Sequence, residues 1–161
     1  MYDNPLQIAS LAYAARGWRV FPIHSVHNGV CSCGHADCKS PGKHPRTRHG
    51  VKDASIDKGT IEKWWRKWPT ANVGVATGSG LIVIDIDGAG GMATLRALLR
   101  GHTLPRAPAV RTSRGLHLYF AMPAGRTVSC GSSGGLDIRG EGGYVVAPPS
   151  IHASGHVYVW I

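Results

Sequence analysis

The stretch Leu81-Ile82-Val83-Ile84-Asp85-Ile86-Asp87-Gly88 admits few folds. Strand side chains alternate between faces, so Ile84 and Ile86 point into a core while Asp85 and Asp87 share the opposite face. Two like charges at neighbouring same-face positions repel. A cation between the carboxylates relieves that repulsion. Oxygen-only ligands at an exposed strand end suit Mg²⁺ or Mn²⁺, which bind carboxylates together with substrate phosphates. A polar strand end running into a glycine turn accounts for the same residues without a metal.

The chain has 161 residues, enough for one domain with its own core. A hydrophobic share of 43% against 17% charged fits a globular protein and argues against disorder. No apolar run reaches membrane-spanning length, and the N-terminus lacks a basic-then-apolar signal pattern. A cytoplasmic protein is expected. The net charge of +9 favours a polyanionic partner such as nucleic acid or nucleotides. An acidic membrane face would call for a long basic amphipathic helix, and none is visible.

Asn4-Pro5 predicts a helix start, with Gly17 ending the helix. Residues 18–23 read as a short strand. Thr60 is expected to cap a second helix reaching Trp68, with Trp64, Trp65 and Trp68 nearly on one face. That stripe reads as core packing, although tryptophans interleaved with Lys63, Arg66 and Lys67 also suit stacking on single-stranded bases. Residues 73–77 read as a strand, joined through a Gly78-Ser79-Gly80 hairpin turn to the aspartate strand. A helix over 90–100 follows, then strands over 109–112, 116–121, 136–139, 143–147 and 156–161. The class is α+β with a mostly antiparallel or mixed sheet. The last strand looks cut short, so a longer protein is expected to continue beyond it.

Three further constellations carry chemistry. In Gly135-Leu136-Asp137-Ile138-Arg139-Gly140 a third carboxylate sits in a short apolar strand, with Arg139 on its face. Asp85, Asp87 and Asp137 converging would hold two divalent ions; an Asp137–Arg139 ion pair is the plainer alternative. His117, on the opposite strand face from Leu116 and Leu118, can donate to a phosphate, with Arg111 and Arg114 adding charge-assisted contacts. A satisfied core histidine is the plainer alternative there. Finally, Cys31, Cys33 and Cys38 fall within eight residues, and with His44 they make a Cys₃His zinc set. His35 competes as fourth ligand. In a reducing compartment such crowding reads as metal ligation rather than disulfides, and Cys130 stands apart as a free thiol.

Taken in order, these segments resemble the N-terminal catalytic domain of the bifunctional DNA primase/polymerase (Prim-Pol) family, within the archaeo-eukaryotic primase superfamily. The resemblance runs along essentially the whole chain. It begins with Ala14-Ala15-Arg16-Gly17-Trp18-Arg19-Val20-Phe21-Pro22, the cysteine loop into Pro41-Gly42-Lys43-His44-Pro45, and Val51-Lys52-Asp53-Ala54-Ser55. It continues through Trp64-Trp65, Asn72-Val73-Gly74-Val75-Ala76-Thr77-Gly78 and the aspartate strand. Thr112-Ser113-Arg114-Gly115-Leu116-His117-Leu118-Tyr119-Phe120, Gly135-Leu136-Asp137-Ile138-Arg139-Gly140 and Gly143-Tyr144-Val145-Val146-Ala147-Pro148-Pro149-Ser150 complete it.

The resemblance implies a primase-like α+β fold, an α/β module joined to an RRM-like mixed sheet with the active site between them. It implies one catalytic domain over residues 1–161, with a zinc-binding loop at about 30–46, forming the N-terminal part of a longer protein. Asp85, Asp87 and Asp137 would bind Mg²⁺ or Mn²⁺. His117 would sit at the incoming nucleotide's phosphates within a Ser-x-His-like motif that includes Ser113. Arg139 and Lys43 are further phosphate contacts. Arg114 stands where relatives often have Gly, which bears on contacts near His117. The implied activity is DNA-templated nucleotidyl transfer, with nucleoside triphosphates and a single-stranded DNA template as partners and any helicase in the longer chain or in trans. A metal-dependent nuclease and a non-catalytic single-stranded DNA-binding module are the alternatives.

Overall fold

The computed structural model describes residues 4–161. In chain order the elements are helix α1 (Pro5–Ala15), strands β1 (Val20–Ile23), β2 (Val26–His27) and β3 (Val30–Cys31), helix α2 (Lys58–Lys67), and strands β4 (Asn72–Ala76) and β5 (Leu81–Asp87). Helix α3 (Gly88–Leu99) is followed by strands β6 (Ala109–Arg111), β7 (Gly115–Ala121), β8 (Gly131–Ser133), β9 (Leu136–Arg139), β10 (Tyr144–Ala147) and β11 (Val159–Trp160). The chain is of the α+β class. It divides into two compact units, one running to Ala76 and including Tyr144–Val159, the other Thr77–Gly143 with Trp160–Ile161. No helix among the described residues is long and apolar enough to cross a membrane.

In the first unit, α1 begins where expected. Asn4 Oδ1 accepts from Leu6 N at 3.0 Å and Gln7 N at 3.4 Å, and Pro5 fills the first helical position, where no N–H is needed. Helix α2 begins earlier than expected. Its cap is Asp57, whose Oδ1 accepts from the hydroxyl of Thr60 at 2.6 Å and from its backbone N–H at 2.7 Å. These two bonds, the hydroxyl's first, hold the Asp57 carboxyl below its ordinary range. Thr60 is therefore a donor inside the first turn, not the cap.

Three antiparallel strands in the order β1-β4-β10 form this unit's main sheet. Phe21, Ile23, Val73 and Val75 are fully buried there, together with Ile61 and Trp65 of α2. Each such side chain contributes about 2 kcal/mol by leaving water. Trp65 keeps its indole N–H satisfied by donating to Ala71 O at 3.0 Å. The expected tryptophan stripe is split: Trp65 is core, while Trp64 and Trp68 remain partly exposed. The buried Asn72 amide donates to Gly42 O at 3.0 Å and Ile151 O at 2.9 Å, and accepts from Ile151 N. One side chain thus ties two long loops to β4.

The turn at Gly78-Ser79-Gly80 forms, with Gly78 N donating to Leu81 O at 2.7 Å and Leu81 N to Gly78 O at 3.2 Å. The expected hairpin does not. Beyond that single bridge β4 and β5 enter different sheets.

The second unit carries a six-stranded sheet in the order β11-β6-β7-β5-β9-β8. Helix α3 covers one face. Its Leu95 packs with Ile86 and Leu136, and around them lie Ile84, Met92, Leu99, Leu116 and Leu118. This is the apolar half of the alternation in β5, and it forces Asp85 and Asp87 onto the other half. Gly115, opposite Asp87, keeps β7 close to β5: a Cβ there would lie 1.7 Å from the carbonyl oxygen of Ile86. Backbone cannot swing away as a side chain can. Gly115→Ala is expected to lower unfolding free energy by about 3 kcal/mol, measured by urea denaturation. A midpoint equal to that of the unsubstituted protein would contradict this register.

Candidate functional site

The register of the second sheet builds one row across three adjacent strands. Asp85 on β5 stands opposite His117 on β7 and opposite Asp137 on β9. Directly opposed residues share a face, so the row runs Asp137, Asp85, His117 over residues far apart in sequence. His117 is nearly buried, with Nε2 at 3.5 Å from Asp85 Oδ1. Asp85 and Asp137 retain about a quarter of their side-chain exposure, 25% and 26%, so both carboxylates can reach a ligand.

Two arginines neutralise the acids. Arg139 Nη2 donates to Asp137 Oδ2 at 2.5 Å and lies 3.8 Å from Asp85 Oδ2. The ion pair expected as the plainer account of Asp137 is present, and it reaches Asp85 as well. Asp87 closes β5 and stands at the N-cap of α3, yet its side chain makes no capping bond. Its carboxylate instead accepts from Arg114 Nε at 3.0 Å and, through its other oxygen, from Arg114 Nη2. Such a fork is the strong geometry for arginine and carboxylate.

Arg114 is aimed by a residue that composition alone does not single out. Thr112 Oγ1 accepts from Gly115 N at 2.9 Å and Arg114 N at 3.3 Å, closing the Thr112-Ser113-Arg114-Gly115 turn. The signal is a threonine two and three residues before the N–H groups it satisfies. Ser113 sits partly buried in that turn. Ser132 of β8 stands opposite Asp137 and extends the row. Lys43 belongs to the first unit, where its carbonyl accepts from Tyr144 Oη at 3.0 Å.

Three carboxylates thus lie on one sheet face, each already paired with an arginine. Among the described residues, the cluster of three or more ligand atoms drawn within 4.8 Å of one another is the cysteine–histidine set of the first unit, not these carboxylates.

The second centre lies in the first unit. The ligand atoms of Cys31, Cys33, Cys38 and His44 all lie within 4.8 Å of one another. Cys31 Sγ is 3.3 Å and Cys38 Sγ 3.5 Å from His44 Nε2. Tetrahedral zinc with ordinary Zn–S and Zn–N bonds separates such atoms by about 3.6 Å, so the set fits Zn²⁺. His35 is outside the group. Burial pushes the Cys31 thiol up, but N–H bonds from Gly42 and Cys33, with the His44 contact, bring it down to about 6. The thiolate is the ligand form. The loop presents these residues through a hairpin that composition hides: Asn28-Gly29, both at positive φ, joins β2 to β3, which ends on Cys31. His44 is fixed by its carbonyl accepting from His24 N at 2.9 Å. Zinc held by these four would have every position filled by protein, as in a structural site. Cys130 belongs to the second unit and is a free, exposed thiol.

No curated protein matches the chain. The family model described as bifunctional DNA primase/polymerase, N-terminal, matches residues 10–161, nearly the whole chain. With the antiparallel α+β fold and a Cys₃His cluster alongside that match, the chain belongs to the bifunctional DNA primase/polymerase (Prim-Pol) N-terminal domain family.

Proposed function

We propose that the protein transfers nucleotides onto a DNA-templated strand, with its chemistry at the Asp85, Asp87 and Asp137 face. The observation that carries this reading is the Asp137–Asp85–His117 row, in a chain of a primase/polymerase family. Bound divalent ions would supply there the Lewis acidity that activates a 3′-hydroxyl and steadies departing pyrophosphate.

The chain's own groups do the rest. Asp85 and Asp137 hold their carboxylates in a fixed rung. His117, anchored beside Asp85, donates from its imidazole to a phosphate oxygen of the incoming nucleotide. Arg139 and Arg114 move between the acids and the triphosphate, so positive charge is present both before and after substrate arrives. Ser113 lies in the same turn as Arg114 and offers a hydroxyl to the phosphates.

One observation favours a second reading. All three carboxylates already have arginine partners, which is also what an inert single-stranded DNA-binding module would keep. A single assay separates the readings: single-stranded template, Mg²⁺ or Mn²⁺ and labelled nucleotides, with and without primer. Template-dependent label incorporation is expected. Loss of template without added nucleotides marks a nuclease, and binding with no incorporation marks the inert module.

Arg114 gives a sharper test. Its fork on Asp87 competes with a metal for the same oxygens, although the exposure of Arg114 limits the pair to about 1 kcal/mol. Arg114→Ala is expected to tighten Mn²⁺ binding, measured by calorimetry without nucleotide, by up to about fivefold. The same change is expected to raise KM for the nucleotide. An unchanged Mn²⁺ isotherm would remove Arg114 from competition with the metal.

A further inference from the structure

We infer that a groove beside Trp68, in the first unit, holds the sugar–phosphate backbone of single-stranded nucleic acid. The groove encloses about 480 Å³ and is lined by Arg46, Arg48, Lys67, Asp53, Trp64 and Trp68. It joins the end of α2 to the loop that follows His44.

Its charges are arranged unusually. The Arg46 guanidinium lies 5.1 Å from the Trp68 ring centroid, and Lys67 Nζ lies 4.7 Å from it. Two cations drawn to one indole repel each other. The ring's quadrupole attracts each but neutralises neither. The carboxylate in the lining is Asp53, and His49 engages it: its backbone N–H donates to one oxygen at 2.9 Å and its Nδ1 meets the other at 2.9 Å. Those bonds hold the Asp53 carboxyl below its ordinary range. Three cations therefore face one carboxylate that is already occupied. Arg48 and Lys67 are exposed and sit on separate segments, a loop and a helix. Cations supplied by separate segments suit a partner that carries several phosphates. The partly exposed Trp64 and Trp68 add faces on which bases stack without regard to sequence. A chain carrying +9 favours the same partner.

Naming the bound strand as the template rests on the nucleotidyl-transfer reading; the binding itself does not. The test is anisotropy of a labelled oligothymidylate titrated with protein at several salt concentrations, without nucleotide or added divalent ion. Each phosphate contact on a single strand contributes about 0.7 to the slope of log K against log salt. The double variant Arg48→Ala, Lys67→Ala is expected to bind about tenfold more weakly, with a slope shallower by about 1.4. The control pair Arg106→Ala, Arg126→Ala removes the same charge from exposed positions of the second unit, and is expected to leave the slope unchanged. Free thymidine monophosphate at equal phosphate concentration is expected not to compete. A groove variant with unchanged slope, a control pair that loses as much, or displacement by the mononucleotide would overturn the assignment. Loss of incorporation with this binding intact would instead strike the catalytic reading and leave the groove standing.

Discussion

Asp85→Asn is expected to reduce template-directed nucleotide incorporation by about a thousandfold or more, which corresponds to about 4 kcal/mol of transition-state stabilisation. Asp85 is the centre of the row, opposed by His117 on one side and Asp137 on the other. Asparagine keeps the shape and removes the charge that a divalent ion requires. Folding is expected to be little affected. The substitution relieves repulsion with Asp137 and weakens the 3.8 Å contact with Arg139, and these effects oppose each other. A shift in Tm of less than about 3 °C, read by calorimetry, separates lost chemistry from lost structure. Incorporation at the unsubstituted rate would remove Asp85 from the mechanism.

Zinc is expected at about one ion per chain, and its loss is expected to be the largest single blow to stability. Between His24 and Asp57 the regular elements are the two-residue strands β2 and β3 and a short 3₁₀ turn, and single turns supply most of the other local backbone bonds. The metal would close that segment through Cys31, which is 4% exposed, and through Cys33, Cys38 and His44. Binding free energy at such a site is folding free energy. Cys31→Ser is expected to lower zinc content by elemental analysis to near zero and Tm by about 10 °C or more. Protein purified without chelator yet free of zinc, or a serine variant melting like its parent, would contradict the assignment. The loop would still keep partial anchors: Asn72 holds Gly42, and Arg46 N donates to Pro22 O at 2.9 Å.

What the sequence makes legible follows its periods. The alternation in β5 declares both faces of the strand at once, because one face must be buried. Asn4-Pro5 declares the start of α1 through a cap chemistry that needs no tertiary partner. The cysteine spacing declares a metal set, but only folding separates His44 from His35, since both lie within reach in sequence. Register is not local: the Asp85–Asp137 rung joins residues on strands separated by a helix and three other strands. The Arg114–Asp87 fork spans 27 positions and follows from that register. β8 is illegible because Gly131, Ser132 and Ser133 are all exposed and carry no apolar alternation. The hairpin at Asn28-Gly29 is a different case. Its dipeptide is a strong turn signal, masked by strands only two residues long.

The measurement closest to the central claim is anomalous diffraction at the manganese edge from crystals grown with Mn²⁺ and a non-hydrolysable nucleoside triphosphate. Manganese density is expected at the carboxylates of Asp85 and Asp87, with triphosphate oxygens against His117 and with Arg114 turned from Asp87 toward them. Manganese bound elsewhere, with both arginine–carboxylate pairs intact and the triphosphate away from the row, would contradict it.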